Sequence, residues 1–597
     1  MYNIISDTEE YHALDYQLVA LLVQLNNKDS ALLQQVTLQI SKQTREGRIG
    51  LAYDVTLTEA LLANKVVGLG EDYTPLTIDN GFLYLRRYWG YQQRLAAQIN
   101  SRLYTSKDNN QQDKDQDWIT SRLAHYFGQD NAANNAANND ETNWQQIAAA
   151  LALSSRFLII SGGPGTGKTT TITRILALLI EQRQQTSQQP LRVSLAAPTG
   201  KAAMRMRESI RESTQRDGDR FSTEMQQQLP QESSTLHRLL GYIPNSTEFR
   251  FNANNHLASD LVIVDEASMI DLALMTKLFE ATSPQASIIL LGDKDQLSSV
   301  ETGSVFADLC AVATNQYQAE TVQYLHTVTG MHLTEASCIN AIDNHIVCLL
   351  KSWRFNQSSG IGQLASAVNQ GKAEQALTIL AKQDNVEIKR IPPAELTVTQ
   401  LTSPWQVYLQ ALTAKVPIAD LFSAFNRFRI LSALRRGVQG SIALNIQLEK
   451  QLLEQEQLYT RKRWYQGRPI MITENSYRTG LFNGDIGITL LDNNGQASIW
   501  FQTSEGEKAF SPVRLPQHET AWIMTIHKSQ GSEFERVMMI LPTEDSPVLT
   551  QQLIYTGMTR AKKRLEIVSD AAILRLGIER EIPQATQIRR ALASFNS

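Results

Sequence analysis

Residues 160–176, "ISGGPGTGKTTTITRIL", follow directly on the apolar run "RFLI". Gly162, Gly167, Lys168 and Thr169 complete the spacing G-x-x-x-x-G-K-[ST] between a strand-like run and a helix-like one. In that setting the segment Gly162, Gly163, Pro164, Gly165, Thr166, Gly167 turns its backbone N–H groups inward onto a polyphosphate, and only glycine fits its tightest positions. Lys168 would reach the β- and γ-phosphates, the Thr169 hydroxyl would ligate Mg²⁺, and Thr170 belongs to the same cradle. The expected cofactors are therefore ATP and Mg²⁺. A kinase, a protein-remodelling ATPase and a nucleic-acid motor all remain open on these residues.

Phosphoryl transfer also needs a second Mg²⁺ contact and a group that positions water. "LVIVDEAS" offers Asp265 for the metal shell and Glu266 for the water, at the end of an apolar strand. A glutamate beside the metal aspartate favours hydrolysis over transfer to an acceptor, which argues against a kinase. "SIILLGD" ends in "GDKDQLSSVETG", where Gln296 sits as a sensor of the γ-phosphate. Arg354 in "SWRF" and Arg560 in "LIYTGMTRAKKR" are two guanidiniums that could approach the triphosphate from a second sheet.

The remaining pattern supports two such sheets. "RFLIIS", "RVSLAA", "DLVIVDE" and "SIILLGD", then "RVMMILP" and "RLEIVSD", are continuous apolar runs suited to parallel strands covered on both faces. Residues 467–520 alternate with "NNG" and "EG" turns, as in a small antiparallel β-barrel. The fold expected is α/β: two parallel-sheet domains, RecA-like on the resemblance given below, at 143–350 and at 351–466 with 521–597, the barrel being inserted at 467–520. Leu14, Leu18, Leu21, Leu22 and Leu25 give residues 1–110 a helical period, expected to form a helical domain, to which the family resemblance given below assigns partner binding. Residues 111–142, with "NAANNAANND", read as a flexible polar linker.

At 597 residues the chain is long enough for several domains. A net charge of −4 excludes a whole-surface basic footprint, so any nucleic-acid contact must be a local groove. Cys310, Cys338 and Cys348 lack metal-ligand spacing and read as free thiols in a reducing cytoplasm. No apolar run approaches the length of a membrane span, so no membrane partner is expected.

In order along the chain, "GGPGTGKTTT", "APTGKAA", "STLHRLL", "VIVDEAS", "GDKDQLSSV", "KSWRF", "MTIHKSQGSEF" and "YTGMTRAKKR" resemble the motifs of superfamily 1 helicases, in wording similar to the 5′-to-3′ branch. "GRPIMITENSYRTGLFNGDIG" is further similar to the RecD family, the alpha subunits of exodeoxyribonuclease V. The resemblance begins near residue 143 and runs to the end of the chain. It implies ATP-driven translocation on single-stranded DNA and action at duplex DNA ends. It also implies a heterotrimer with RecB-like and RecC-like subunits. On its pattern Gln145, with Gln146 as the alternative, would read the adenine edge, Trp353 would stack on the base, and Gly531 and Glu533 would lie beside the nucleotide. Pro198, Thr199, Thr235, His237, Thr525, His527 and Ser529 would line the DNA track, joined by Asn483 at the mouth of the inserted barrel. Residues 241–257 read as a hairpin similar to a duplex-splitting pin. A free-standing helicase of the same branch and a protein-remodelling ATPase are the alternatives. Asp384, Glu387 and Lys389 in "DNVEIKR" are too slight a fragment for a nuclease site, which is expected on a partner subunit.

Overall fold

The computed structural model describes residues 11–103, 116–128, 142–187, 189–298, 302–336, 340–354, 359–382, 386–454, 463–476, 478–503, 506–580 and 584–595. Cys338, Asp384 and the "NAANNAANND" stretch lie outside them.

The first lobe is built on the strand Phe157–Gly162, in which every residue is buried. Phe157 and Ile159 point into one core cluster, and Leu158 and Ile160 into another on the opposite face. That alternation is the strand period of two with both faces covered, which is why the run reads as uninterrupted apolar sequence. Six strands lie in the order 346–349, 157–162, 287–292, 261–264, 193–197, 234–235, every neighbouring pair parallel. The second lobe repeats the plan with a parallel sheet in the order 388–391, 561–568, 534–540, 428–432, 523–525. Val537 and Met539 face one core there, Met538 and Ile540 the other.

The expected barrel at 467–520 is an antiparallel sheet of five strands, ordered 506–510, 497–503, 486–491, 469–472, 518–520. Among the described residues no pairing joins its two edge strands, so it does not close. Its apolar side is small: Ile470, Ile472, Leu481, Ile499 and Phe501 form its core.

The N-terminal unit is helical only in part. Helices Ala13–Asn26 and Ala31–Arg45 precede a four-stranded sheet ordered 50–52, 82–85, 76–79, 67–69. The helix Arg86–Leu103 then joins this unit to the first lobe: Tyr91, Leu95, Ala96 and Ile99 enter the same core cluster as Phe157. At its end buried Arg102 donates to the carbonyls of Thr282 (2.8 Å) and Ser283 (3.1 Å), and burial pulls its pKa down to about 10.

Two further boundaries differ from the sequence expectation. Residues 116–128, placed in the linker by composition, form a helix. Ile119, Leu123, Tyr126 and Phe127 sit in the first lobe's core, and Arg122 pairs with Glu181 on the helix after the phosphate loop. Spaced at helical intervals, those four apolar side chains outweigh the Asn/Gln-rich flanks. The C-terminal helix Ile588–Ser594, assigned to the second domain, packs on Arg86–Leu103 in the first lobe's cluster through Ile588, Ala591 and Leu592. Arg589 pairs there with Asp343 at 2.7 Å. Among the described residues no helix is long and apolar enough to cross a membrane.

Because Phe127 is fully buried, Phe127→Ala should lower stability by about 3–5 kcal/mol. Urea unfolding of the first lobe reads this directly. An unchanged midpoint would mean the helix is not docked.

Candidate active site and nucleic-acid groove

The phosphate loop starts where the strand Phe157–Gly162 leaves the sheet and ends where the helix Lys168–Thr186 begins. Gly165 (φ 78°) and Gly167 (φ 85°) are left-handed, a region that disfavours any side chain. A Cβ on Gly165 would also overlap that of Arg354. The Lys168 ammonium lies inside the loop, donating to the carbonyls of Gly162 and Gly163. Gln145 Nε2 donates to the Thr166 carbonyl at 3.1 Å, and Trp353 N to that of Gly165 at 2.8 Å. Trp353 is 57% exposed beside Gly167, which excludes a core role, and the Lys351 ammonium lies 4.9 Å from its ring centre.

Opposite the loop, the buried strand Leu261–Val264 delivers Asp265 and Glu266. Glu266 has φ 52°, and its N–H donates to Asp265 Oδ1 at 2.8 Å. Burial, reinforced by the adjacent Glu266 charge, pushes the Asp265 carboxyl up to about 6 despite Lys168. A half-buried, like-charged carboxylate pair lining the same cleft as the Thr169 hydroxyl is a hard-oxygen donor set, and it fits Mg²⁺.

The second lobe meets this centre through a line of hydrogen bonds. Arg560 is buried and donates to Gln296 Oε1 (2.5 Å), the Thr556 carbonyl (3.1 Å) and the Ser532 carbonyl (3.3 Å). Leu297 N donates to Thr556 Oγ1 (2.7 Å) and Gln530 Nε2 to the Leu297 carbonyl (2.7 Å). The Glu533 carboxylate holds three cations: Arg354 (2.8 Å), Lys562 (3.2 Å) and Arg205. Burial works to raise its pKa, but those cations hold it at about 2. Residues Gly163 to Thr170, Asp265, Glu266, Gln296, Arg354, Gly531, Glu533 and Arg560 thus line one cleft between the lobes. Both arginines line it together with the phosphate loop.

Two members were missed from sequence. Arg205 lies mid-helix in Gly200–Arg216, where its signal is only its place on a stripe with Ala202 and Ser209. Asp293, the "GD" that ends its strand, accepts from Gln296 Nε2 (3.0 Å) and the Tyr555 hydroxyl (3.2 Å). Burial raises its carboxyl to about 6, with Lys168 opposing.

A second cleft runs between the first lobe and the inserted sheet. Lys201, Arg207, Thr235 and Arg238 line one side, and Phe482, Asp485, Gln502 and Thr503 the other. Thr199 and Thr235 cap the helices that open onto it, accepting from Ala202 N (3.2 Å) and Arg238 N (3.3 Å). Pro198 is half-buried at its edge and Asn483 is exposed at the tip of the inserted loop.

Other expected track residues are engaged elsewhere. Ser529 is fully buried and donates to the Ile526 carbonyl (2.6 Å) within its own turn. Buried Thr525 accepts from Lys528 N at 3.4 Å. His237 packs edge-on against Phe249, and His527 is largely buried, which lowers its pKa. None of these four lines the second cleft. Motif letters fix the backbone turn there, not the direction of each side chain. At 241–257 the chain doubles back through single bridges, Tyr242 to Phe249 and Asn252 to Asn255, rather than continuous strands. Glu387 accepts from Gly360 N at 2.7 Å, capping a helix.

Comparison with known proteins agrees with this geometry. A family profile described as "AAA domain" matches residues 145–302, and one described as "UvrD-like helicase C-terminal domain" matches residues 520–568. The RecBCD enzyme subunit RecD of Haemophilus influenzae is 36% identical over 87% of this chain and 82% of its own length. That of Mycolicibacterium smegmatis is 37% identical over 75% of this chain and 74% of its own. The ATP-dependent RecD2 DNA helicase of Deinococcus radiodurans is 27% identical over 71% of this chain and 48% of its own. With the two-lobed cleft and these relatives together, the chain belongs to the RecD family of RecBCD enzyme subunits.

Proposed function

We propose that this chain is an ATP-driven motor that moves 5′-to-3′ on single-stranded DNA. It would serve as a helicase subunit of a RecBCD-type helicase–nuclease acting on DNA ends in homologous-recombination repair of double-strand breaks. One observation carries the proposal: Arg560 of the second lobe reaches Gln296 of the first inside the cleft that the phosphate loop lines. ATP bound there would touch both lobes at once, so its hydrolysis would change how they meet.

Each side chain has a definite task. Lys168 holds the β- and γ-phosphates, and Thr169 and Asp265 would hold Mg²⁺, which would supply positive charge to offset that of the phosphates. Glu266 orients the attacking water and Gln296 senses the γ-phosphate. Arg354 and Arg560 stabilise the charge that builds up on transfer. Gln145 and Trp353 take the adenine edge and face, with Gly531 and Glu533 flanking the nucleotide. In the second cleft Lys201, Arg207 and Arg238 would meet phosphates, while Pro198, Thr199, Thr235 and Asn483 position the strand without reading sequence. The turn at 241–257 would part the duplex ahead of it. Nuclease chemistry would belong to a partner subunit.

The helix Ala13–Asn26 supports subunit status, because Leu14, Leu21 and Leu25 form an exposed apolar stripe (67%, 51% and 51%) suited to a RecB-like or RecC-like partner. The test is unwinding of partial duplexes with a 5′ or a 3′ single-stranded tail, with and without those subunits. Unwinding from the 5′ tail, strengthened by the partners and abolished in Lys168→Gln, is expected. A 3′ preference, or DNA-stimulated turnover retained by Lys168→Gln, would contradict the proposal. An ATPase rate indifferent to single-stranded DNA would favour a protein-remodelling role.

Burial, with the nearby Arg429 and Arg205 charges, pulls the Lys201 ammonium down to about 8, against the opposing Asp485. Its charge is therefore present below that pH and lost above it. Affinity for oligo(dT), followed by fluorescence anisotropy, should weaken as pH rises through about 8. Lys201→Arg should flatten the profile, since a guanidinium stays charged. The same pH dependence in both proteins would exclude Lys201 as a phosphate contact.

A further inference from the structure

The helix Gly200–Arg216 is the wall between the two clefts. Ala202, Arg205 and Ser209 line the nucleotide side, and Lys201, Met204 and Arg207 line the groove side. Its two ends are tied to different partners. Gly200 lies against Phe482 of the inserted sheet, where an added Cβ would come within 3.4 Å of the ring. At the other end Arg216 donates to Thr170 Oγ1 at 3.1 Å, in the first turn of the phosphate-loop helix. Met206 and Ile210 are buried in the first lobe's core, so the helix can be displaced only as a packed unit.

From its nucleotide face Arg205 crosses to the second lobe. Its guanidinium pairs with the Glu533 carboxylate and donates to the Gly531 carbonyl at 3.3 Å. The same carboxylate also carries Arg354 and Lys562. A triphosphate offers several anionic oxygens to these three cations. Exchanging one charge-assisted hydrogen bond for another would give the Arg205 fork a second arrangement, on the phosphates instead of Glu533. Two discrete arrangements of one element, each favoured by a different site, are what physical coupling requires.

We propose that Arg205 is a positioning residue that links occupancy of the groove to grip on the triphosphate. A strand in the groove shifts the Gly200–Arg216 helix, and the helix moves the Arg205 guanidinium between Glu533 and the phosphates. This rests on the assignment of the two clefts to ATP and to single-stranded DNA.

Coupling of this kind is reciprocal. The full-length chain is titrated with a fluorescent non-hydrolysable ATP analogue, with and without oligo(dT), and then with oligo(dT), with and without the analogue. In the wild type the two affinity ratios should be equal, at roughly 5–150-fold. In Arg205→Ala both ratios should fall to about one, whatever the loss of the guanidinium does to affinity for the nucleotide analogue alone. Arg205→Lys, which keeps the charge without the planar fork, should restore part of the ratio. An undiminished ratio in Arg205→Ala would overturn the proposal. So would loss of both single-ligand affinities with the ratio intact, because that is the mark of a structural residue. Failure of the wild type to bind oligo(dT) at all would overturn the assignment of the groove itself, and with it the coupling.

Discussion

A guanidinium buried at the seam of two lobes sets the terms for the whole molecule. Arg560 has almost no exposure, and removing a charge from water costs several kcal/mol unless its donors are satisfied. Two of its acceptors, the carbonyls of Thr556 and Ser532, belong to its own lobe. The third is Gln296 Oε1, at the end of a strand of the other. The same strand end meets the second lobe again through Leu297, bonded to Thr556 and Gln530, and through Asp293, bonded to Tyr555. A change at Gln296 is therefore felt directly by the second lobe. That is the physical content of calling the cleft a motor site.

The rest of the chain serves to keep that seam in register. The N-terminal unit is fixed to the first lobe by Arg86–Leu103, with Arg102 donating to backbone carbonyls at its end. The C-terminal helix returns from the second lobe to the first, where Asp308 accepts from both the N–H and the hydroxyl of Thr586 (2.6 Å each). Burial raises the Asp308 carboxyl to about 6, while the Thr586 bonds work to lower it. Besides the cleft, the lobes are joined at the connection through Ser352 and Trp353, by Asn369 donating to Asp295 Oδ2 at 3.3 Å, and at this returning helix.

How much of this was legible in the sequence depended on how local the cause was. The phosphate loop, Asp265, Glu266 and the two arginines were visible because their chemistry is fixed by neighbours in the chain, and the structure brings all of them into one cleft. Buried parallel strands were visible as uninterrupted apolar runs. The helix at 116–128 was hidden because composition averaged its four core side chains with the polar stretches on either side. The N-terminal sheet was hidden because its strands are three or four residues long, too short for a period to stand out. That Ser529 and Thr525 are buried could not be foreseen, and Arg205 was overlooked, for one reason. The direction of a side chain depends on which helix or turn its backbone joins, and only packing decides that.

The claim tested most directly is that Arg560 acts on the transferring phosphoryl group rather than merely holding the lobes together. Binding of ADP with aluminium fluoride, which mimics that group in flight, should be compared with binding of a non-hydrolysable ATP analogue in wild type and Arg560→Ala. A loss on the order of 10³-fold for the mimic, with the analogue still bound, is the predicted result. Equal losses for both, or none for the mimic, would contradict it.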